Sequence, residues 1–474
     1  METMELKGKD VLVLGLGRSG MAAASLLQRD GAHVVVRDEH ADDQLRERAS
    51  RLRQLGVRVE LGSEFDRSAR FDLAVLSPGI APERPFVREL LTQNLPMLSE
   101  LELAYRFCLC PIIAITGTNG KTTTTELIAR MLEGCGKRTA AAGNIGDAFS
   151  DAVGASAGLD ALVLEVSSFQ LEKIDHFRAD VAVLLNITPD HLDRYESMEE
   201  YAAAKSFVFM NQRPEDVAVV SAESLEILQR MGLAIRARAM TFSAYNRPAD
   251  LWLDWFDNDT IWCRLPECRG ILLKMSETQL RGVHNAENIL AALATGLAMG
   301  LPVSLMREAI CTYSPQPHRC ERVAEINGVT YLNDSKATNV DAVEKALRSV
   351  PGQAVLIAGG RDKGLDFTSI KEVVAEKVKL AVLIGEAQNK IWRAWCKAVP
   401  CARASSLEEA VQMAARRAGA GDTVLLSPAC ASFDMFENYE HRGDEFKRHV
   451  FHLQAEHRNN GTGSRNRNQS TTPM

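Results

Sequence analysis

The stretch from Ile112 to Glu126, reading IIAITGTNGKTTTTE, constrains this chain more than any other. Ile112 to Ile115 is a run of β-branched and small apolar residues, the pattern of a strand buried on both faces. Gly117 and Gly120 follow, with Thr118 and Asn119 between them. Lacking side chains, the two glycines let backbone N–H groups close around an anion. Lys121 adds a point charge, and Thr122, with Thr123 beside it, adds a hydroxyl suited to Mg²⁺. From Lys121 a helical pattern runs to Met131, so the positive end of a helix faces the same anion. The general phosphate loop carries a further glycine where this chain has Ile115, so the loop is a variant. The order strand, loop, helix predicts a cradle for the phosphates of a nucleoside triphosphate.

Composition narrows the setting. A length of 474 residues suggests about three domains, and 46% hydrophobic residues are ample for buried cores. The net charge of −7, without basic clusters in the folded part, disfavours nucleic acid as the main partner. The charged start METMELKGKD runs directly into a strand pattern and does not read as a signal peptide. No stretch approaches the ~18 apolar residues of a membrane span. Ten cysteines are scattered without paired metal spacing, since Cys263 and Cys268 lack a second pair, which predicts reduced thiols and a cytoplasmic setting.

Ahead of the cradle, Asp10 to Leu14 reads as a strand that enters a turn with Gly15, Gly17 and Gly20. A helix over Met21 to Arg29 and a second strand, His33 to Arg37, lead to Asp38. A G-x-G-x-x-G turn with an acid about twenty residues on is the Rossmann fingerprint, in which the acid meets a ribose hydroxyl. Leu73 to Leu76 is a further strand, ending in Ser77, Pro78 and Gly79, at the edge where open α/β sheets bind ligands. A dehydrogenase would use such a domain for NAD, but would leave Lys121 and the rest of the chain without a task.

Beyond the cradle, Asn144 lies in the turn GNIG, and Leu162 to Val166 is an apolar run interrupted by Glu165. A carboxylate inside a strand pattern is costly unless paired or bound to a metal. Val181 to Leu185 predicts another strand, with His191 in the Asp-rich loop after it, and Lys205 falls among small residues in a helical segment, Tyr201 to Met210. A regulatory nucleotide-binding protein without chemistry would not need Glu165, His191 and Lys205. Thr241 to Leu273, richer in tryptophan, reads as a small β excursion, and Asn285 and Asn288 open an alanine-rich helix. The chain changes character around His318 and Arg319. Strands are then predicted near Thr330–Asn333, Ala354–Ala358, Leu380–Ile384 and Thr423–Leu426. Three of them run into polar loops, at Asn333 to Asn339, at Gly359 to Lys363 and at Ser427 to Asp434, which predicts one shared binding edge. The expected boundaries are 1–98, 99–315 and 316–455, with 456–474 a disordered polar tail.

GTNGKTT, GNIG, LEVSSFQLE, NITPDHLDRY, NDSKATN and LSPACASFD, in that order, resemble the Mur ligases from about Lys7 to His452. NDSKATN and SPACASFD resemble the branch that adds D-glutamate. The resemblance implies an α/β protein of three domains: a Rossmann-like N-terminal domain, a central P-loop NTPase-like domain and a C-terminal Rossmann-like domain. It implies a cytoplasmic, monomeric ligase of peptidoglycan synthesis, and so of cell wall biogenesis, cell shape and cell division. Its substrates would be ATP, UDP-MurNAc-L-Ala and D-Glu, with two Mg²⁺ ions, no nucleic acid and no membrane span. By the same resemblance, Gly117, Thr118, Asn119, Gly120, Lys121, Thr122 and Thr123 would hold ATP, joined by Asn285, Asn288, His318, Arg319 and Asp334. Thr122 and Glu165 would serve one metal ion, and His191 and a carbamylated Lys205 the second. Gly15, Gly17, Gly20, Asp38, Ser77, Pro78, Gly79 and Asn144 would hold the UDP-substrate. Lys336, Thr338, Lys363, Ser432 and Phe433 would receive D-Glu, and the catalytic set would be Lys121, Lys205, His191 and Lys336. Glu39 stands where relatives often carry a hydroxyl residue, which leaves the uracil contacts open.

Overall fold

The computed structural model describes residues 5–62, 70–80, 85–92, 94–192, 194–314, 317–350 and 352–463. The first sheet comprises β1 (Asp10–Leu14), β2 (His33–Asp38), β3 (Arg58–Leu61), β4 (Leu73–Leu76) and β5 (Met97–Ser99). All its pairs are parallel, in the order β3-β2-β1-β4-β5. Leu12 and Leu14 of β1 pack with Ala74, Leu76, Val87 and Leu90 on one face, which fixes the register that carries the turn after β1 to the sheet's carboxyl edge. The helix after that turn spans Arg18–Arg29, three residues earlier than its expected start at Met21.

The second sheet holds β6 (Ile112–Thr116), β7 (Thr139–Gly143), β8 (Ala161–Glu165), β9 (Val181–Leu184), β10 (Val217–Ser221) and β11 (Arg238–Ser243). It continues with β12 (Leu251–Leu253), β13 (Thr260–Cys263) and β14 (Gly270–Lys274), in the order β14-β13-β12-β11-β10-β9-β6-β8-β7 among the described residues. The expected β excursion is the antiparallel margin, β12 to β14. Every residue of β6, β8 and β9 is buried, as apolar strands between two helical layers must be.

A short helix, Glu100–Tyr105, ties the first two sheets together. Ser99 caps it by accepting from the N–H of Glu102. The buried Glu102 carboxylate accepts backbone N–H groups of Asp175, His176 and Phe177 at 2.9, 3.0 and 2.8 Å, and Nε of Arg106 at 2.6 Å. Glu100 accepts from the N–H of Ser150 at 2.7 Å. Four donors make burial of the Glu102 carboxylate tolerable, whereas at Glu100 burial outweighs the bond from Ser150 and raises the pKa.

The third sheet contains β15 (Glu321–Ile326), β16 (Val329–Asn333), β17 (Ala354–Gly359), β18 (Val378–Ile384), β19 (Cys401–Arg403) and β20 (Thr423–Leu426). Its order among the described residues is β15-β16-β20-β17-β18-β19, with β15 antiparallel and the other pairs parallel. Cores lie on both faces, one around Phe367 and Trp395 and one around Phe446 and Val450.

The chain divides into two compact units. One holds the first two sheets, up to Ile187 with Glu199–Thr278 and Ala286–Tyr313. The other holds Thr188–Met198, Gln279–Asn285 and the chain from Ser314. The last helix runs Tyr439–Gly463, so the stretch 456–463, expected to be disordered, is helical. The pair His452–Glu456, one turn apart, supports a polar helix where composition alone suggested none. Residues 464–474 of that tail, and Pro315 and Gln316 at the expected second boundary, lie outside the described residues. Among the described residues, no helix is long and apolar enough to cross a membrane.

Candidate active site

The first unit carries the phosphate loop. Gly120 N-caps the helix Lys121–Gly134 with φ 86°, a left-handed conformation that glycine adopts without strain. A Cβ at that position would lie 2.0 Å from Oδ1 of Asn288, so any other residue would also push the Asn288 side chain aside. Asn186, at the end of β9, braces the loop: its Oδ1 accepts the N–H of Asn119 at 2.8 Å, and its Nδ2 donates to Oε2 of Glu287 at 2.9 Å. Its carbonyl accepts the N–H of Thr118 at 2.9 Å. Lys121 Nζ donates to the carbonyls of Gly117 and Thr118 at 2.8 and 2.9 Å.

Glu165 ends β8 beside β6, and it is only 3% exposed. Its Oε2 accepts the Thr122 hydroxyl at 2.7 Å, and its Oε1 accepts Nδ2 of Asn144 at 2.9 Å. The sequence expectation that this carboxylate needs partners holds, and the partners are two other expected site residues. Hard oxygen donors side by side at the head of a phosphate loop fit Mg²⁺. Lys205, 2% exposed, reaches the same loop: Nζ donates to the carbonyl of Gly117 at 2.9 Å and lies 4.4 Å from the Tyr201 ring centroid. Thr124 reaches Oδ1 of Asn288 at 3.4 Å, which brings Asn288 to the cradle. Asn285, three residues earlier, belongs to the second unit.

From Asn144 the site opens into a cavity of about 470 Å³. It is lined by Gly15, Gly17, Asp38, Ser77, Pro78 and Gly79 from the first sheet and by Gly143, Asn144 and Gln170 from the second. The turn after β1 is held shut from beneath. Leu16 N–H donates to Oδ2 of Asp38 at 2.7 Å, and the Ser77 hydroxyl donates to the Gly15 carbonyl at 3.2 Å. A Cβ at Gly20 would lie 1.9 Å from that carbonyl, so the third glycine lets the helix close on the turn. Arg18, Arg37, Glu39 and His40 also line the cavity. Apart from Glu39, sequence reasoning passed over them, because nothing in their spacing separates a lining residue from a solvated one.

In the second unit, β16, β20 and β17 are adjacent and parallel, so the three polar loops do share one edge. They are stitched together: Ser427 Oγ donates to Oδ2 of Asp334 at 2.9 Å, and Arg361 N–H donates to the carbonyl of Ala431 at 2.9 Å. Arg442, buried on the last helix, donates to the carbonyls of Ser335 and Cys430 at 2.8 and 3.1 Å. Burial pulls its pKa down to about 10. Burial pushes the Asp334 carboxyl up to about 7, against hydrogen bonds from Ser427 and Cys320. His318, with φ 66°, lies 2.9 Å from Nδ2 of Asn333 through its Nδ1, and burial lowers its pKa. Arg319 adjoins this group through its charge, which acts on Asp334.

Lys336 Nζ donates to the hydroxyl of Tyr439 at 2.8 Å and sits over its ring. Thr338 is half-buried on the same loop, Ser432 is buried, and Phe433 is exposed. Lys363 Nζ lies 2.9 Å from Oδ1 of Asp190, in the loop after β9 that also carries His191. Burial alone would raise the Asp190 carboxyl, but the Lys363 ammonium, His191 and Asn339 hold it at about 2. Asp190, Asn186, Glu287, Tyr201, Tyr439 and Arg442 were not singled out from sequence. Single polar residues on strand ends and helices carry no spacing signal.

A phosphate loop with a metal-suited carboxylate, a Rossmann cavity leading into it and a third α/β sheet with a polar edge define a multidomain nucleotide-using α/β protein. Family profiles match the chain along most of its length: the Mur ligase MurD-like N-terminal domain over 9–99, the Mur ligase middle domain over 115–296, and the Mur ligase glutamate ligase domain over 318–430. The chain belongs to the Mur ligase family.

It is 42% identical over 448 residues to the UDP-N-acetylmuramoylalanine--D-glutamate ligase of Koribacter versatilis, covering 94% of this chain and 97% of that protein. The protein of the same name from Geobacter metallireducens is 41% identical over 463 residues, covering 98% of this chain and 100% of the relative. Among solved structures, the UDP-N-acetylmuramate-alanine ligase MurC of Thermotoga maritima shares the fold, with a TM-score of 0.60 at 17% identity, covering 94% of this chain and 100% of that one. MurF of Acinetobacter baumannii does so with a TM-score of 0.61 at 14% identity, covering 88% and 90%.

Proposed function

We propose that this chain ligates D-glutamate to UDP-N-acetylmuramoyl-L-alanine at the expense of ATP, in peptidoglycan synthesis. The observation that carries this reading is identity above 40%, over nearly the whole chain, to relatives that bear this activity in their names. The line Lys121, Thr122, Glu165, Asn144 supports it, since it runs from a phosphate loop to a cavity suited to a nucleotide-sugar.

The substrate's alanine carboxylate attacks the γ-phosphorus of ATP, giving an acyl phosphate and ADP. The uncharged amine of D-Glu then attacks that carbonyl, and phosphate leaves. Such transfers need alignment and charge neutralisation more than a covalent nucleophile. Gly117 to Thr123 bind the phosphates through backbone N–H groups and the Lys121 ammonium, with Asn285, Asn288, His318, Arg319 and Asp334 completing the nucleotide site. Thr122 and Glu165 would hold one Mg²⁺, and His191, with Lys205 once carbamylated, would hold a second. Such ions would supply positive charge to offset that of the phosphates. Carbamylation of Lys205 would replace its ammonium by an anionic oxygen donor. Gly15, Gly17, Gly20, Asp38, Ser77, Pro78, Gly79 and Asn144 hold the UDP-substrate. Lys336, Thr338, Lys363, Ser432 and Phe433 receive D-Glu. The protein acts as a monomer in the cytoplasm, within the expected domains 1–98, 99–315 and 316–455.

The test is phosphate release from ATP with each component left out in turn. Release should require both UDP-MurNAc-L-Ala and D-Glu; release with either one absent overturns the reading.

A further inference from the structure

Lys363 does not wait with a bare ammonium. Its side chain is 15% exposed, and its Nζ lies 2.9 Å from Oδ1 of Asp190, whose side chain is 7% exposed. Oδ2 of the same carboxylate accepts Nδ2 of Asn339 at 3.0 Å. Asn339 is itself fixed, because its Oδ1 accepts the N–H of Ala342 and so caps the helix Val340–Ser349. The backbone N–H of His191 donates to Oδ1 at 2.9 Å. Cap, amide, carboxylate and ammonium thus form one largely buried line within the second unit, on the edge where the three polar loops meet.

We propose that Asp190 is an internal stand-in for a carboxylate of the amino-acid substrate, seated on Lys363 until that substrate displaces it. This rests on the ligase reading, in which Lys363 receives one of the two carboxylates of D-Glu. A buried ammonium without a counter-ion is costly, and Asp190 removes that cost when no amino acid is bound. The same carboxylate then opposes the substrate. A like charge about 4 Å away at a near-surface dielectric weakens binding on the order of a thousandfold. Holding one lysine side chain in place repays roughly tenfold. Repulsion wins, so D-Glu must exchange with Asp190 rather than share the ammonium. Exchange is open only to a ligand that brings its own carboxylate to Lys363. Asp190 therefore favours ligands that bring a free carboxylate to Lys363 over ligands that bring a neutral group there.

The test is Asp190→Asn in the full-length enzyme, with KM and kcat measured for D-Glu and KM for ATP. The KM for D-Glu should fall about tenfold or more as the repulsion goes. The ATP KM should stay within about threefold. Damage to the fold raises KM, so a fall separates this role from a structural one. In a Lys363→Ala background, Asp190→Asn should no longer lower the D-Glu KM, because there is no ammonium to compete for. Should Asp190→Asn fail to fold, Asn339→Ser keeps a capping hydroxyl but drops the donor to Asp190, and should lower the D-Glu KM by a smaller factor. A D-Glu KM that is unchanged or raised in both variants overturns the stand-in role while leaving the ligase reading in place. A wild-type enzyme that cannot use D-Glu at all overturns both.

Discussion

Replacing Asp334 by Asn should make the protein's stability less dependent on pH, and the size of the effect follows from the site. The carboxyl accepts Ser427 Oγ at 2.9 Å and the N–H of Cys320 at 3.2 Å, and it is buried. Burial outweighs these donors and lifts its pKa from 3.8 to about 7. A raised folded-state value means that the folded protein holds a proton that the unfolded chain has released. The stabilisation is fully present below 3.8 and is lost as pH rises through about 7. At 1.36 kcal/mol per unit the whole span is worth about 4 kcal/mol, of which roughly 2.5 kcal/mol falls between about pH 5 and about pH 8. Asn keeps the shape and cannot ionise. Urea unfolding of both proteins, without ligands, should therefore show Asp334→Asn gaining roughly 2.5 kcal/mol on the wild type between those two pH values. Stability differences that stay equal at both pH values would refute the argument, because they would mean that the buried carboxyl ionises as readily folded as unfolded.

Lys121→Ala should leave the fold intact and cut ligation by far more than tenfold at saturating ATP, since it removes the charge at the phosphate loop; steady-state rates and a thermal melt check both halves. Lys205→Arg should be as inactive as Lys205→Ala, because a guanidinium cannot be carbamylated, whereas a lysine acting only as a cation would tolerate arginine better; relative kcat values decide. Gly20→Ala puts a Cβ 1.9 Å from the Gly15 carbonyl, so the turn must open; the KM for UDP-MurNAc-L-Ala should rise at least about tenfold while the ATP KM holds.

The phosphate loop was legible from its residues because each does something that few others can. Gly120 must take a left-handed φ against Asn288, and Glu165 in an apolar strand demanded partners, which proved to be Thr122 and Asn144. The strands were legible because buried parallel strands are continuous apolar runs, as in β6 and β8. What escaped depends on tertiary proximity. Asp190 looked like one acid in an Asp-rich loop, yet it meets Lys363 across 173 residues of chain. Arg442 stood out by no sequence signal, yet it is buried and donates to carbonyls of two of the polar loops. The helical stretch Glu456 to Gly463 escaped for the opposite reason, since its polar composition lacks an apolar stripe.

The central claim is that the alanine carboxylate is phosphorylated before the amide forms. It is tested most directly by supplying UDP-MurNAc-L-Ala with ¹⁸O in both carboxylate oxygens, together with ATP and D-Glu, and weighing the released phosphate. An acyl phosphate must surrender one carboxylate oxygen to that phosphate, so each inorganic phosphate should carry one ¹⁸O and the new amide should retain the other. Unlabelled phosphate, formed while ligation proceeds, would contradict the account.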